Sequence, residues 1–420
     1  MDAVFALVDC ENFYVSCERV FDPSLRDVPM VVLSNNDGCI IARSAAVKDA
    51  GVPMGAPYFQ WAETLDAMGT AVRSSNYALY GDMSRRVMTE LEAEALRLER
   101  YSIDEAFLTL PALAPDALRR QARRIQRRVR RRQGVPIRVG IGPTKTLAKV
   151  ADERAKGHDG RYVCPTGDAL AAVLRTLPVG EVWGIGPAYS SLLAEHGVTT
   201  AEGLRQCPDA WLRKHLTVVG LRVATELRGT PCLELEDAPA PRKSMIRSRS
   251  FSGRLYALGD LREAVATHAQ RAAEKLRAEE LVAGRLGVFV TTKKFGDPPH
   301  YSNAAGAPLR PATNQTPTLL DVAGTLLRAV YRDGPAYKKA GVRLQALRPE
   351  GTGQGHLFRE DTDEDEALMA AVDRLNREMG RGTVGFAAAG VAGRRDWTMK
   401  REMRSPHYTT RWADLPEARA

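Results

Sequence analysis

The stretch Arg100 to Leu110, RYSIDEAFLTL, sets two neighbouring carboxylates, Asp104 and Glu105, between two runs of strand-forming residues. Two strands that meet at such a tip bring like charges to the edge of a sheet, and charge there needs a partner. Taken alone, the motif reads as a hairpin whose acidic residues cap the turn and pair with nearby arginines. A third carboxylate alters that reading. Ala3 to Asp9 is a short apolar run rich in β-formers, which predicts a buried strand ending on Asp9, with a helix following from Asn12 to Val20.

The order of elements decides whether the three acids meet. Residues 23 to 79 alternate short strands (PMVVL, GCIIA) with Pro/Gly breaks such as Val52-Pro53-Met54-Gly55, and read as a small insertion. Helical pattern resumes from Tyr77 to about Leu96. After the acidic hairpin come a helix from about Pro115 to Gln133, a strand from Pro136 to Ile141 and a helix from Thr144 to Lys156. With the insertion set aside, the order is the split βαβ, or ferredoxin-like, arrangement. Its first and third strands are adjacent and antiparallel, so the end of one lies beside the start of the other. Asp9 is thereby expected to crowd Asp104 and Glu105.

Converging carboxylates are relieved by protonation or by a divalent cation, and oxygen-only donors favour magnesium over zinc. A pair of such ions about 3.5 to 4 Å apart suits phosphoryl transfer. The fold class expected is therefore α+β and multidomain, since 420 residues exceed what one core organises.

The charge pattern agrees with a polyanionic partner. The formal net charge is +9, and RRQARRIQRRVRRR between Arg119 and Arg132 puts arginines opposite an apolar stripe of Leu118, Ala122, Ile125 and Val129. That face is expected to be solvated while adding to a field that attracts nucleic acid. Downstream, PVGEVWGIGPAYSSLLAEHGV has a Gly184-Ile-Gly186 turn opening a helix, similar to a helix-hairpin-helix that grips DNA backbone. Residues 236–243 have linker composition, 244–349 read as a basic α+β unit, and 350–366 (EGTGQGHLFREDTDEDE) as a flexible tether. A short helix from Glu366 to Met379 and a basic tail complete 367–420. Six scattered cysteines and the lack of a long apolar run argue for a reducing, cytoplasmic setting and against a disulfide framework or a membrane span.

Several motifs together resemble the Y-family, or translesion, DNA polymerases: Asp9-Cys-Glu-Asn-Phe-Tyr14, YSIDEAF at 101–107 and GIGPTKTLAKVA at 140–151. LSNNDGCIIARS, SSNYALYGDMSRRVM, VWGIGP and HYTTRWADLP are similar, more narrowly, to the UmuC branch, the catalytic subunits of bacterial DNA polymerase V. The resemblance covers essentially the whole chain. It implies a right-hand polymerase with a palm at 1–22 and 80–174, small fingers at 23–79, a helix-hairpin-helix thumb at 175–235, a linker at 236–243 and a little finger at 244–349. A tether with a clamp-binding-like motif would follow at 350–366, and a UmuC-type C-terminal region at 367–420.

The same resemblance implies residue roles. Asp9, Asp104 and Glu105 would be catalytic and would hold two Mg2+ ions with the backbone carbonyl of Cys10. Tyr14, with Phe13 beside it, would be a steric gate beneath the incoming sugar, and Lys48 and Lys156 would bind triphosphate. Many relatives carry a tyrosine at the position of Ala45. That leaves one phosphate contact for another side chain, with Arg43 the candidate. Gly184 and Gly186 would contact DNA. Gln354, Leu357 and Phe358 match a sliding-clamp peptide, an anchor glutamine plus an apolar pair. The implied partners are primer-template DNA, dNTPs, a UmuD-type accessory dimer and a RecA filament, in an SOS damage response that copies past lesions with low fidelity. A non-catalytic DNA-bound scaffold of the same fold is the alternative, disfavoured by the intact acids; a nucleotide cyclase on a similar palm is disfavoured by the helix-hairpin-helix and clamp-like segments, which it would not need.

Overall fold

A computed structural model describes residues 3–236, 241–293, 300–352, 363–380, 382–390 and 400–415. The chain divides into two compact units, one of Met1–Ser34, Gly38–Pro239 and Glu402–Ala420, the other of Asn35–Asp37 and Ala240–Arg401. Among the described residues no helix is long and apolar enough to cross a membrane.

The first unit begins with β1 (Ala3–Cys10) and α1 (Phe13–Phe21), then β2 (Met30–Leu33), β3 (Ile40–Arg43), α2 (Ala45–Asp49), α3 (Tyr58–Ala67) and β4 (Ala71–Ser74). β2 lies centrally in a three-stranded sheet, antiparallel to β3 and parallel to β4. The sequence reading recognised β2 and β3 but not β4, whose four residues carry a charge and no clear alternation. α4 (Tyr77–Glu92), β5 (Arg97–Arg100), β6 (Glu105–Pro111), α5 (Pro115–Gln133), β7 (Ile137–Gly142), α6 (Lys145–Ala155) and β8 (Arg161–Val163) complete the larger layer. Its sheet order is β5-β6-β1-β7-β8, the ferredoxin-like order with β8 added in parallel at one edge.

β1 is central because its side chains are apolar on both faces. Ala6, Val8 and Cys10 enter one core cluster and Leu7 another, beside Phe107. α5 shows what holds a surface helix. Leu118, Ala122, Ile125 and Val129 are the buried stripe, and full burial of each large aliphatic contributes about 2 kcal/mol. Three of the arginines opposite reach α4: Arg124 pairs with Glu94 at 2.7 Å, and Arg128 and Arg132 pair with Glu90 at 2.7 and 3.2 Å. The arginine face is thus partly an inter-helix tie rather than wholly solvated.

α7 (Gly167–Arg175), α8 (Pro187–Glu195), α9 (Ala201–Gln206) and α10 (Asp209–Leu227) form a helical subdomain whose core includes Leu147, Val150 and Ala151 of α6. The fully buried Glu226 of α10 fastens it to the sheet layer. One carboxylate oxygen accepts from Thr146 N at 2.9 Å and the other from the amides of Cys232 and Leu233.

The second unit is a four-stranded antiparallel sheet, order β11-β10-β12-β9, covered by two helices. Its elements are β9 (Ser244–Leu255), α11 (Leu258–Ala278), β10 (Leu281–Thr292), β11 (Ser302–Thr313), α12 (Thr316–Val330) and β12 (Tyr337–Pro349). α13 (Asp363–Glu378) follows, joined to α11 by the Arg277–Asp373 pair at 2.7 Å. The helix starts inside the acidic block expected to be tether, as acidic residues near a helix N-terminus favour a helix start. The clamp-like residues Gln354, Leu357 and Phe358 lie outside the described residues.

Candidate active site

Strand register assembles the acidic tip. In the antiparallel β1–β6 ladder Asp9 stands opposite Glu105, and on the other side of β1 it stands opposite Arg138 of β7. The Cys10 amide donates to Asp104 O at 2.9 Å, which pins the hairpin to the end of β1. Within the turn, Ser102 Oγ donates to Asp104 Oδ1 at 2.5 Å and accepts from the amides of Asp104 and Glu105. Asp9, Asp104 and Glu105 are therefore neighbours, as the element order predicted.

Each flanking acid has a cation. Arg138 Nη2 lies 2.9 Å from Asp9 Oδ1 and also reaches Asp152, while Lys149 Nζ lies 2.8 Å from Glu105 Oε1. Among the described residues no group of three or more histidine, cysteine, aspartate or glutamate side chains is placed to hold a metal ion. Burial nevertheless dominates at Asp9. Its carboxyl is pushed up to about 7, first by desolvation, against the pull of Arg138 and with Asp152, Glu105 and Asp104 adding repulsion. The Cys10 thiol is also pushed well up by burial, consistent with an inert packed side chain.

α6 delivers Lys149 and Asp152, and a glycine makes that approach feasible. A Cβ on Gly140 of β7 would stand 2.1 Å from Asp152 N and 2.6 Å from Ala148 O. Any side chain there would force the helix off the sheet. Lys149 also sits 4.6 Å from the centre of the Tyr101 ring, and Tyr101 OH accepts from Trp183 Nε1 at 3.1 Å. The hairpin is thus braced by α6 and by the start of the helical subdomain. Arg138, Lys149, Asp152, Tyr101 and Trp183 were not singled out from sequence. A charged residue inside the apolar strand IRVGIG was the available signal for Arg138.

Positive charge gathers nearby. The Lys48 ammonium is pushed below its usual value by burial first, then by Arg43, Arg138 and Lys156, with Asp9 opposing. Arg43 donates to Val52 O, and its Nε is buried without a hydrogen-bond partner. Lys156 is exposed and pairs with Glu153 at 2.5 Å. Arg43, Lys48 and Lys156 therefore share one electrostatic neighbourhood with Asp9.

The two aromatic candidates separate. Phe13 is 3% exposed and belongs to the core of the first unit, whereas Tyr14 is half-buried and stacks on Tyr80 with centroids 4.3 Å apart at 14°. Gly184 and Gly186 precede α8. Gly184 has φ +92°, and a Cβ there would lie 3.0 Å from Val223. A side chain at this turn would be strained in backbone and tight in space.

Comparison with known proteins follows the same outline. Family models match residues 8–153 (impB/mucB/samB family), 242–357 (impB/mucB/samB family C-terminal domain) and 366–418 (a domain of unknown function, DUF4113). Protein SamB of Salmonella typhimurium is 42% identical, covering 99% of this chain and 100% of its own. The chain belongs to the impB/mucB/samB family. Protein UmuC of Salmonella typhimurium is also 42% identical, over 98% of this chain and 99% of its own, so the member is of UmuC type. DNA polymerase IV of Caulobacter vibrioides is 29% identical over 93% of each chain. A solved Y-family DNA polymerase chimera superposes with a TM-score of 0.66 at 19% identity, covering 83% of this chain and 100% of that one. The family member therefore has the Y-family polymerase fold, with its ferredoxin-like sheet.

Proposed function

We propose that this impB/mucB/samB family member is a DNA-directed DNA polymerase of translesion type, adding dNTPs to a primer 3′-hydroxyl opposite damaged template. The observation that carries the reading is the acid tip of Asp9, Asp104 and Glu105 set beside the Arg43, Lys48 and Lys156 charges. The acids offer oxygen donors to metal ions and the neighbouring cations offer positive charge to phosphates, as a site for a metal-bound triphosphate requires.

In this reading residues 1–22 and 80–174 are the palm, 23–79 the fingers, 175–235 the thumb, 236–243 a linker and 244–349 the little finger. The acids fit divalent ions in donor chemistry, since all offer oxygen and the raised Asp9 carboxyl gains from a nearby cation. Two ions, magnesium by this donor set, would be held by Asp9, Asp104, Glu105 and the Cys10 carbonyl, and would neutralise charge on the attacking and leaving oxygens. Metal ions there would compete with Arg138 for Asp9 and with Lys149 for Glu105. Arg43 Nε offers an unused donor to the same phosphates. The Tyr14 ring, resting flat on Tyr80, would exclude a 2′-hydroxyl.

The test is primer extension on undamaged and abasic templates with magnesium, supplying UmuD-type and RecA-type proteins, for wild type and Asp104→Ala. Equal extension by the two proteins would remove the metal-site reading. Clamp docking through Gln354, Leu357 and Phe358 is tested separately. Alanine at all three should reduce clamp-stimulated synthesis and leave short-template chemistry nearly unchanged.

A further inference from the structure

The domain of unknown function ends in a segment that the first unit builds into its core. Ser74, the last residue of β4, donates its amide to Met403 O at 3.0 Å, and its hydroxyl accepts from Met403 N at 3.1 Å. Met403 packs on the apolar cluster beneath the β2–β3–β4 sheet. Tyr408 stacks on Phe21 of α1, with centroids 5.1 Å apart and planes at 7°.

Between these two anchors lies a buried polar chain. Asn76, at the start of α4, is 1% exposed; its amide nitrogen donates to Ser405 O, Ser405 Oγ and Pro406 O at 3.3, 3.0 and 3.1 Å. Ser405 Oγ donates to Glu18 Oε1 at 3.0 Å, and the Tyr80 hydroxyl donates to the same oxygen at 2.7 Å. Glu18 and Tyr80 are both fully enclosed. The other face of Tyr80 carries the Tyr14 ring at 4.3 Å. A continuous path thus runs from Ser405 through Glu18 and Tyr80 to Tyr14.

Tail, α1 and α4 have no covalent reason to meet. Without the Ser405 hydroxyl the buried Asn76 amide would lose one acceptor and the buried Glu18 carboxyl one donor. With Ser405 present, the Glu18 oxygen is held where it fixes the Tyr80 hydroxyl, and the tilt of Tyr80 determines the surface on which Tyr14 lies.

We infer that residues 402–415 are a positioning element for the nucleotide pocket: through Ser405 they hold the Glu18–Tyr80 pair that supports Tyr14, and so tune discrimination between deoxyribonucleotides and ribonucleotides. This rests on Tyr14 being the sugar gate. Ser405 touches no substrate, and its effect is on selectivity rather than on the chemical step.

The experiment uses the full chain with its accessory proteins and compares kcat/KM for dNTP and rNTP. Ser405→Ala should lower the dNTP:rNTP preference by about five-fold, the scale of about 1 kcal/mol for one net hydrogen bond, with kcat for dNTP little changed. Ser405→Thr, which retains the hydroxyl, should restore the preference. In a Tyr14→Ala background Ser405→Ala should add nothing. Amide exchange at residues 76–80 should rise in Ser405→Ala while the rest of the first unit stays protected, which separates loss of positioning from unfolding. If Tyr14→Ala relaxes selectivity and Ser405→Ala leaves both selectivity and exchange unchanged, the tail inference is wrong and the gate stands. If Tyr14→Ala leaves selectivity unchanged, the gate reading falls and this inference with it.

Discussion

Two ion-pair clusters in the first unit look alike in composition and differ in physics. At the acid tip, Arg138–Asp9 and Lys149–Glu105 have side chains 14–20% exposed, and the Asp9 carboxyl is pushed up to about 7. Along α5, Arg124 and Arg132 are 65% and 57% exposed, while their partners Glu94 and Glu90 are 7% and 11% exposed, at comparable distances. Water reaches the Arg124 and Arg132 ends of the second cluster and screens those pairs, which fasten a helix already held by its apolar stripe. It cannot reach the first so easily, and the acids there remain under repulsion that two cations only partly relieve. Burial, more than density of charge, separates a site from a seam.

The largest effect that tests this contrast is on catalysis. Asp104→Ala should reduce primer extension by on the order of a thousand-fold, the scale of losing a preorganised charge contact in phosphoryl transfer, with the melting temperature nearly unchanged. A thermal melt beside the activity assay checks both halves.

Arg138→Gln attacks the same cluster from its cationic side. Leaving Asp9 buried without its guanidinium should destabilise the first unit by about 3 kcal/mol near neutral pH. The sign with pH is determined by the raised Asp9 carboxyl. A folded-state value above the unfolded one favours folding below about 4 and loses that benefit as pH rises through 7. The variant should therefore look closest to wild type in acid, and a larger deficit at pH 5 than at pH 8 would contradict the burial argument.

His268 of α11 extends the comparison to the second unit with opposite sign. Burial first, then Arg249, Arg271 and Arg247, lower its imidazole to about 4. The unfolded chain binds this proton more readily, so stability is complete above about 6.5 and falls as pH drops toward 4. His268→Gln should flatten that decline in urea melts of the full chain.

The smallest effect belongs to the exposed seam. Arg124→Ala should change stability by about 1 kcal/mol or less, and less still in high salt. A loss as large as that of Arg138→Gln would erase the distinction between the clusters.

Much of the first unit was legible because its signals are local. The continuous apolar run in AVFALVD, the 3.6-residue stripe of Leu118, Ala122, Ile125 and Val129, and the turn residues of the acidic hairpin each report on their own backbone. β4 and β8 are short and lack the apolar runs that made the equally short β2 and β3 visible. Arg138 and Lys149 were invisible as partners because their meeting with Asp9 and Glu105 depends on cross-strand register and on how closely α6 lies on Gly140.

The amino-acid sequence by itself determined that three acids would gather, since the order of strands and helices leaves the ends of β1 and β6 side by side. It also determined the chemistry of the positive residues around them. Tertiary structure alone decided which cation holds which acid, that Phe13 goes into the core while Tyr14 stays on Tyr80, and that a serine near the end of the chain completes a buried network around Glu18. Those outcomes turn on contacts between residues 44 to 387 positions apart, where desolvation and packing, rather than local preference, select the partner.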